Sequence, residues 1–361
     1  MDISRLNIAL AHDSFTQAGG AERVAGALHE LFPKAPVFTL ACGRKFKAEC
    51  KGWDIRTSWL QMFYNLVPRL PLFLPLIPLA VRSLDFSGYD LVISSSSGFI
   101  KNLRCPKDCV HINYCHTPTR FLWVDPEYVD QEVPVILRPI VRTLLALMKK
   151  WDYAGAQRVS RFLANSEEVK KRISKIYNRE SIVLYPFADT QFWRPTLPKG
   201  KHFLLAGRLQ AHKKNELIVK IFNELGLPLR VAGTGRQEKY LRSIAGSNVD
   251  FLGRISDERL RDEYSSAAGY IYPQIEDFGL MPLEAAACGT ATLAFGAGGA
   301  LETVVPGATG EFFYSYDEGK IKHKILNWRP ERYKNEALRA QAGRFSKAAF
   351  IKNLSQFISD L

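Results

Sequence analysis

Nothing in this 361-residue sequence is apolar for long enough to cross a membrane. The longest hydrophobic run, LPLFLPLIPLAV at 70–81, has twelve residues and three prolines, Pro71, Pro75 and Pro78. A spanning helix needs about 20 apolar residues without such breaks. The first residues lack the charged and apolar regions of a secretory signal, which sets the expectation of a reducing cytosol. The six cysteines have no paired spacing. Their densest group, with Cys105, Cys109, His111, Cys115 and His116, contains metal-ligand types, but C-x3-C-x5-C fits no zinc knuckle and 109–115 alternates like a strand. Small buried hydrophobes are the plainer reading of these thiols. The sequence also lacks a G-x-G-x-x-G fingerprint, a D-x-D motif, low-complexity tracts and any nucleic-acid motif. The formal net charge is nevertheless +13, spread over both halves, and the pI is about 9.4. A diffuse positive surface suits anionic partners: nucleoside diphosphates, acidic lipid head groups or nucleic acid.

What is present is an alternation of strands and helices, twice over. An apolar strand at 6–11 leads through a polar, glycine-bearing loop into helical periodicity at 21–31, the opening of an α/β domain. Further buried strands are expected at 89–94, 110–115, 162–165 and 181–185. A proline-bearing stretch, 186–201, reads as a linker. The pattern restarts with strands at 202–207, 229–233, 249–253, 269–272 and 290–295, and a helix at 215–225. An amphipathic helix closes the chain at 345–361. Alternation of this kind predicts parallel sheets, hence two doubly wound domains with ligand chemistry at the carboxyl ends of the strands.

Three loops carry candidate chemistry. In IEDFGLMPLEAAACG, Pro282 suits the first helical position and Gly289 the position past the end. This predicts a short helix over 282–288 whose free N–H groups and dipole favour a diphosphate. Glu284 falls in its first turn and Glu276 just outside. Glu284 either complements the dipole or accepts hydrogen bonds from a ribose diol. In GRLQAHKK, Arg208 is a planar donor for phosphate and Lys213 a mobile point charge, although a solvated basic loop has the same look. In AGG, Ala18, Gly19 and Gly20 let backbone approach a phosphate.

Taken together, these loops resemble the retaining glycosyltransferases of family four, which share the GT-B fold. The resemblance covers nearly the whole chain. Its most specific part is Glu276-x7-Glu284 in EDFGLMPLEA, and it continues through GRLQAHKK, AGTG, VDFLGRI, GAGGALETV and TGEFF. In the first half AGGAERV, YCHTPTRFLW and ANSEEVKKRI belong to it. The His-Thr-Pro-x-Arg context is most similar to bacterial mannosyltransferases that build O-antigen or exopolysaccharide from GDP-mannose. The resemblance implies two Rossmann-like domains facing a cleft: 1–187 for the acceptor, 188–343 for the nucleotide sugar, and a C-terminal helix, 344–361, with the option of returning to the first domain. It implies Arg208 and Lys213 on the donor diphosphate in place of a metal, so no cofactor, and Glu284 on the ribose. Glu276, with backbone at Phe278, Gly279 and Leu280, would position the hexose. Gly19 and Gly20 would meet the phosphates, His116 would lie beside the sugar ring, and Arg254 would lie near the base. The partners implied are a nucleotide-sugar donor and a lipid-linked glycan at the cytoplasmic membrane surface, not nucleic acid.

Alternatives of the same architecture are a nucleotide-sugar 2-epimerase and a phosphorylase, the latter needing a far longer chain. A non-catalytic sugar-nucleotide or nucleic-acid binder would also suit the charge. For the membrane, two segments stand out. The run at 66–81 is apolar, edged by Arg69 and Arg82, and broken by prolines that make burial in a regular element difficult. The segment 135–151 is an amphipathic candidate with Arg138, Arg142 and Lys149 opposite Ile136, Ile140, Leu144 and Leu147. Packing of both into the first domain is the competing expectation.

Overall fold

The computed structural model describes residues 6–16, 19–124 and 133–360. The chain divides into two compact units, Met1–Pro186 with Ile351–Leu361, and Phe187–Phe350. The first holds seven strands: β1 (Ile8–His12), β2 (Val37–Thr39), β3 (Ile55–Thr57), β4 (Leu91–Ser96), β5 (Val110–Cys115), β6 (Arg161–Ala164) and β7 (Ser181–Val183). All pair in parallel, in the order β3-β2-β1-β4-β5-β6-β7. The second holds β8 (Phe203–Ala206), β9 (Leu229–Ala232), β10 (Val249–Gly253), β11 (Gly269–Tyr272), β12 (Thr292–Phe295) and β13 (Gly310–Phe313), also parallel, ordered β10-β9-β8-β11-β12-β13. Central strands such as β4 and β11 are buried at every residue, as a sheet covered on both faces requires. The two sheets with their flanking helices form the α/β, doubly wound architecture expected from the alternation.

Each sheet reverses its strand order once, between β1 and β4 in the first unit and between β8 and β11 in the second. At such a point the loops leaving neighbouring strands diverge to opposite faces and leave a crevice at the carboxyl ends. Gly19, Gly20 and the loop after Ser96 follow the first reversal; Arg208 and Glu276 follow the second.

Several sequence expectations need correction. The segment 186–201 is not a free linker: Ala188 bridges to Ser346, and Trp193 is buried against Tyr264 with ring centroids 5.8 Å apart. The run at 66–81 does enter regular structure, as a 3-10 segment Leu70–Leu76 followed by the helix Ile77–Arg82. Ile77, Ala80 and Val81 are core residues, because Pro78 falls in the first turn where its missing N–H is harmless. The short strands β2, β3 and β13 escape periodicity, being three or four residues long. The C-terminal helix runs Lys347–Ser359.

The first unit is organised around a carboxylate with no solvent exposure. Asp152, on the long helix Arg138–Arg158, pairs with the buried ammonium of Lys101. It also accepts from Trp123 Nε1 (2.8 Å), the Tyr177 hydroxyl (2.7 Å) and Asn102 Nδ2 (3.2 Å). Lys101 donates to Gly98 O (2.9 Å) and stands 5.4 Å from the centre of the Tyr177 ring. The group thus ties the loop after β4, the short helix Arg120–Trp123 and the helix Glu167–Tyr177 to one point. Burying charges this deeply is tolerable only because both are paired and hydrogen-bonded. Asp152→Ala strands the Lys101 ammonium and should destabilise the first unit by about 3–5 kcal/mol in urea unfolding. Adding Lys101→Met should recover most of that loss. A single mutant within about 1 kcal/mol of wild type would deny Asp152 this role.

Candidate active site

In the second unit, β8 ends at Ala206 and the chain turns through Gly207 (φ 133°) to Arg208, whose side chain is exposed and has no ion-pair partner among the described residues. One 3-10 turn, Ala211–Lys213, brings Lys213 inward, and left-handed Lys214 starts the helix Asn215–Leu225. Lys213 is buried, and its ammonium pairs with the carboxylate of Glu276 in the loop after β11. The structure therefore brings together two predicted residues separated by 63 positions, because β8 and β11 are neighbours across the reversal. The loop carrying Glu276 is held by backbone: Gly299 N donates to Glu276 O (2.9 Å), and Tyr316 donates its hydroxyl to Pro273 O (3.0 Å). A side chain at Gly299 would meet Phe278 O at 2.1 Å, so this close approach requires glycine.

The helix after Phe278 runs Leu280–Ala287, two residues earlier than expected at its start. Gly279, left-handed at φ 88°, precedes it, which turns the N-terminus at Leu280 instead of Pro282. Pro282 then occupies the third helical position, still among those whose N–H would go unpaired. The same shift corrects Glu284: it lies in the second turn, 5% exposed, near Tyr264 and Tyr270, whose phenol pKa values are raised chiefly by burial, with the Glu284 charge acting in the same direction. The far end is a Schellman closure, with Thr290 N to Ala285 O and Gly289 N to Ala286 O both 2.9 Å. Phe278 is buried against Phe345 (5.6 Å), so its side chain is taken up by packing. Arg254 is exposed at the end of edge strand β10, two strands from β8, and is not gathered with the others.

In the first unit Gly19 precedes and Gly20 opens the helix Gly20–Leu31; Ala18 lies outside the described residues. Gly19 is extended (φ −160°). His116 follows β5, half-buried, with Nε2 2.8 Å from Ser95 Oγ. Burial, with His12 nearby, pushes its pKa down to about 3, so the ring is uncharged at neutral pH. The other members of the cysteine–histidine cluster go elsewhere: His111 Nε2 meets Ser94 Oγ (2.7 Å) and Cys115 is core.

Sequence reasoning missed Asp13 and Ser95. The Asp13 carboxylate accepts four backbone N–H groups, from Ser97, Gly98, Phe99 and Ile100, at 2.7–2.8 Å. It spans the reversal between β1 and β4 and fixes the loop leading to Lys101. The available signal was position: polar residues directly after an apolar strand, as in LAHD and VISSSS, mark carboxyl-end loops.

Residues 188–345 match the family described as Glycosyl transferases group 1, and residues 18–192 that described as Glycosyltransferase Family 4. Among curated proteins, a GDP-mannose-dependent monoacylated alpha-(1-6)-phosphatidylinositol monomannoside mannosyltransferase of Corynebacterium glutamicum is 33% identical over 127 residues, 32% of this chain and 33% of that protein. A D-inositol 3-phosphate glycosyltransferase of Rhodococcus erythropolis is 30% identical over 182 residues, 42% of this chain and 41% of its own length. The matched stretches thus span a third to two fifths of these relatives. Among solved structures, Anabaena HepE in complex with UDP superposes with a TM-score of 0.71 at 17% identity, covering 99% of this chain and all of that one. Sucrose-phosphate synthase from Thermosynechococcus elongatus gives the same score and identity, covering 99% of each chain. With both domains matched and the fold shared along its whole length, the chain belongs to the GT-B glycosyltransferases.

Proposed function

We propose that this chain moves a hexose, mannose from GDP-mannose, onto a lipid-linked glycan in bacterial surface polysaccharide synthesis, with retention of anomeric configuration. The observation that carries the reading is the charge arrangement at the reversal of the second sheet: exposed Arg208, and buried Lys213 held by Glu276. Two cations at the strand ends, beside a helix start, form a site for a departing diphosphate, whose developing charge they stabilise without reorganisation. Lys213, engaged by the diphosphate, would loosen its hold on Glu276, freeing that carboxylate to accept hexose hydroxyls. Glu284 would accept from the ribose diol, backbone at Phe278, Gly279 and Leu280 would line the sugar, and Arg254 would flank the base. In the first unit, Gly19 and Gly20 would serve the phosphates. His116 would lie beside the ring, where an uncharged imidazole does not repel a developing oxocarbenium ion. The choice of GDP-mannose rests on the His-Thr-Pro-x-Arg motif and on the named donor of the Corynebacterium relative.

A second part of the reading is peripheral binding at the inner face of the plasma membrane. No helix among the described residues is long and apolar enough to cross a bilayer. The first unit nevertheless leaves large apolar side chains in solvent on both segments singled out above. Leu66 is 81% exposed and Leu72 64%; Ile136 is 84% exposed and Ile140 68%. Exposed Arg69, Arg82 and Arg142 lie among them. The helix Arg138–Arg158 packs inward through Leu145, Met148 and Asp152, not through Ile140 or Leu147. Exposed apolar side chains with exposed arginines in the same segments suit an anionic interface.

Three outcomes follow from the reading. Arg208→Ala and Glu276→Ala should each lower kcat about 100-fold or more in a folded enzyme; near-normal turnover would remove that residue from the site. Transfer should survive EDTA, since the cations do the work of a metal, and a strict need for Mn²⁺ or Mg²⁺ would contradict the assignment. In flotation, the protein should rise with anionic vesicles and be released by high salt, each basic residue contributing about 1 kcal/mol. Leu66→Asp with Ile136→Asp should abolish flotation, and unchanged binding would rule out these segments.

A further inference from the structure

His12 ends β1 and Ser95 lies directly opposite it on β4, a pair fixed by sheet register. Ser95 Oγ is 3.2 Å from His12 Nδ1 and 2.8 Å from His116 Nε2. On the other side of the His12 ring, Nε2 faces Glu22 Oε1 at 4.0 Å. Ser95, His12 and Glu22 are all buried. Glu22 comes from the helix Gly20–Leu31, so the line of groups runs from the glycine loop, across the reversal of the sheet, to His116.

A hydroxyl carries one proton and can donate to one ring only, so the other ring must donate to it. Two arrangements satisfy both contacts. In one, Ser95 donates to His116 Nε2, placing the His116 proton on Nδ1. His12 must then donate from Nδ1, which aims the lone pair of its Nε2 at the Glu22 carboxylate. In the other, every proton is reversed. His12 holds its proton on Nε2 toward Glu22, Ser95 donates to His12 Nδ1, and His116 donates from Nε2 to Ser95. The second arrangement turns a proton instead of a lone pair toward a buried anion, and low polarity magnifies that preference. Which nitrogen of a histidine is protonated is set by the partner of the other nitrogen; here the choice passes through two rings.

We infer that Glu22, His12 and Ser95 form a positioning relay that holds His116 as its Nε2–H tautomer, presenting bare Nδ1 as an acceptor for a hydroxyl of the bound sugar. Nδ1 of His116 has no hydrogen-bond partner among the described residues, as an acceptor kept for a ligand requires. The uncharged state of the ring, enforced by its burial, agrees with this use. The inference rests on His116 being the sugar-side residue proposed above. No proton is transferred in this scheme: the three groups orient, and His116 accepts.

The test is a long-range ¹H–¹⁵N correlation spectrum of the full chain labelled with ¹⁵N-histidine, with His116 assigned by its loss in His116→Gln. The spectrum is read without sugar nucleotide, so a wrong donor assignment does not affect it. The expected result is His116 with Nε2 protonated and Nδ1 bare in wild type, with the Nδ1–H form growing in Ser95→Ala and in Glu22→Ala. In transfer assays both variants should lower kcat roughly 10-fold, with the donor KM within about twofold. Wild-type His116 protonated on Nδ1, as a doubly protonated His12 would impose, overturns the relay. So does a His116 tautomer that neither substitution moves.

Discussion

A parallel sheet that reverses its strand order must leave a gap where the loops part, and this protein has one such point in each unit. Gly19, Gly20, Arg208, Lys213 and Glu276 stand at one or the other, His116 follows the strand next to the first, and Arg254 alone of the candidates lies at a sheet edge. The gap also creates a problem, because loop N–H groups near it lose their ladder partners and must find others. In the first unit Asp13 answers that demand by taking four of them onto one carboxylate. In the second, backbone meets backbone, with Gly299 bonded to Glu276. These contacts turn a gap between loops into a shaped, rigid edge.

The two edges manage charge differently. Arg208 is exposed with no ion-pair partner among the described residues, while Lys213 is buried and paired; in the proposed reaction the first would meet an incoming anion and the second would be released by it. The first unit holds its charge further inside, in the Asp152–Lys101 pair. That pair lies next in the chain to the Asp13-bound loop: Lys101 follows Ile100 and reaches back to Gly98 O, which also accepts from Thr119 in the His-Thr-Pro-x-Arg segment. A buried ion pair thereby fixes the backbone on which His116 stands, although Asp152 itself touches no ligand in the proposed reaction.

The fold was legible in the sequence wherever an apolar or alternating run ended at polar turns; β4, though buried at every residue, lies two residues later than expected because its carboxyl end is a run of serines. β5, β10 and β11 have the expected bounds because each is an uninterrupted apolar or alternating stretch between polar turns. β2 and β3 were not legible, since three residues carry no period. The helix at Leu280–Ala287 began early because left-handed Gly279 outweighed the positional preference of Pro282, a matter of local backbone that composition does not reveal. Arg208, Lys213 and Glu276 could be named from residue type and resemblance, but the pairing of the last two needed the neighbour relation of β8 and β11. Asp13, Ser95 and Asp152 stayed hidden for a similar reason: their partners lie 21 to 87 residues away, and polar residues after or within apolar elements give no spacing to read.

The central claim is that Arg208 and Lys213 of the second unit serve transfer of a hexose from a nucleotide sugar, not its mere binding. Its most direct test is nucleoside diphosphate release from a panel of GDP-, UDP- and ADP-hexoses, with lipid-linked glycan as acceptor and the anomeric configuration of the product read by NMR. The account predicts fastest release from GDP-mannose and an α-linked product. Binding of these donors without release from any of them, or a product with inverted configuration, would contradict it.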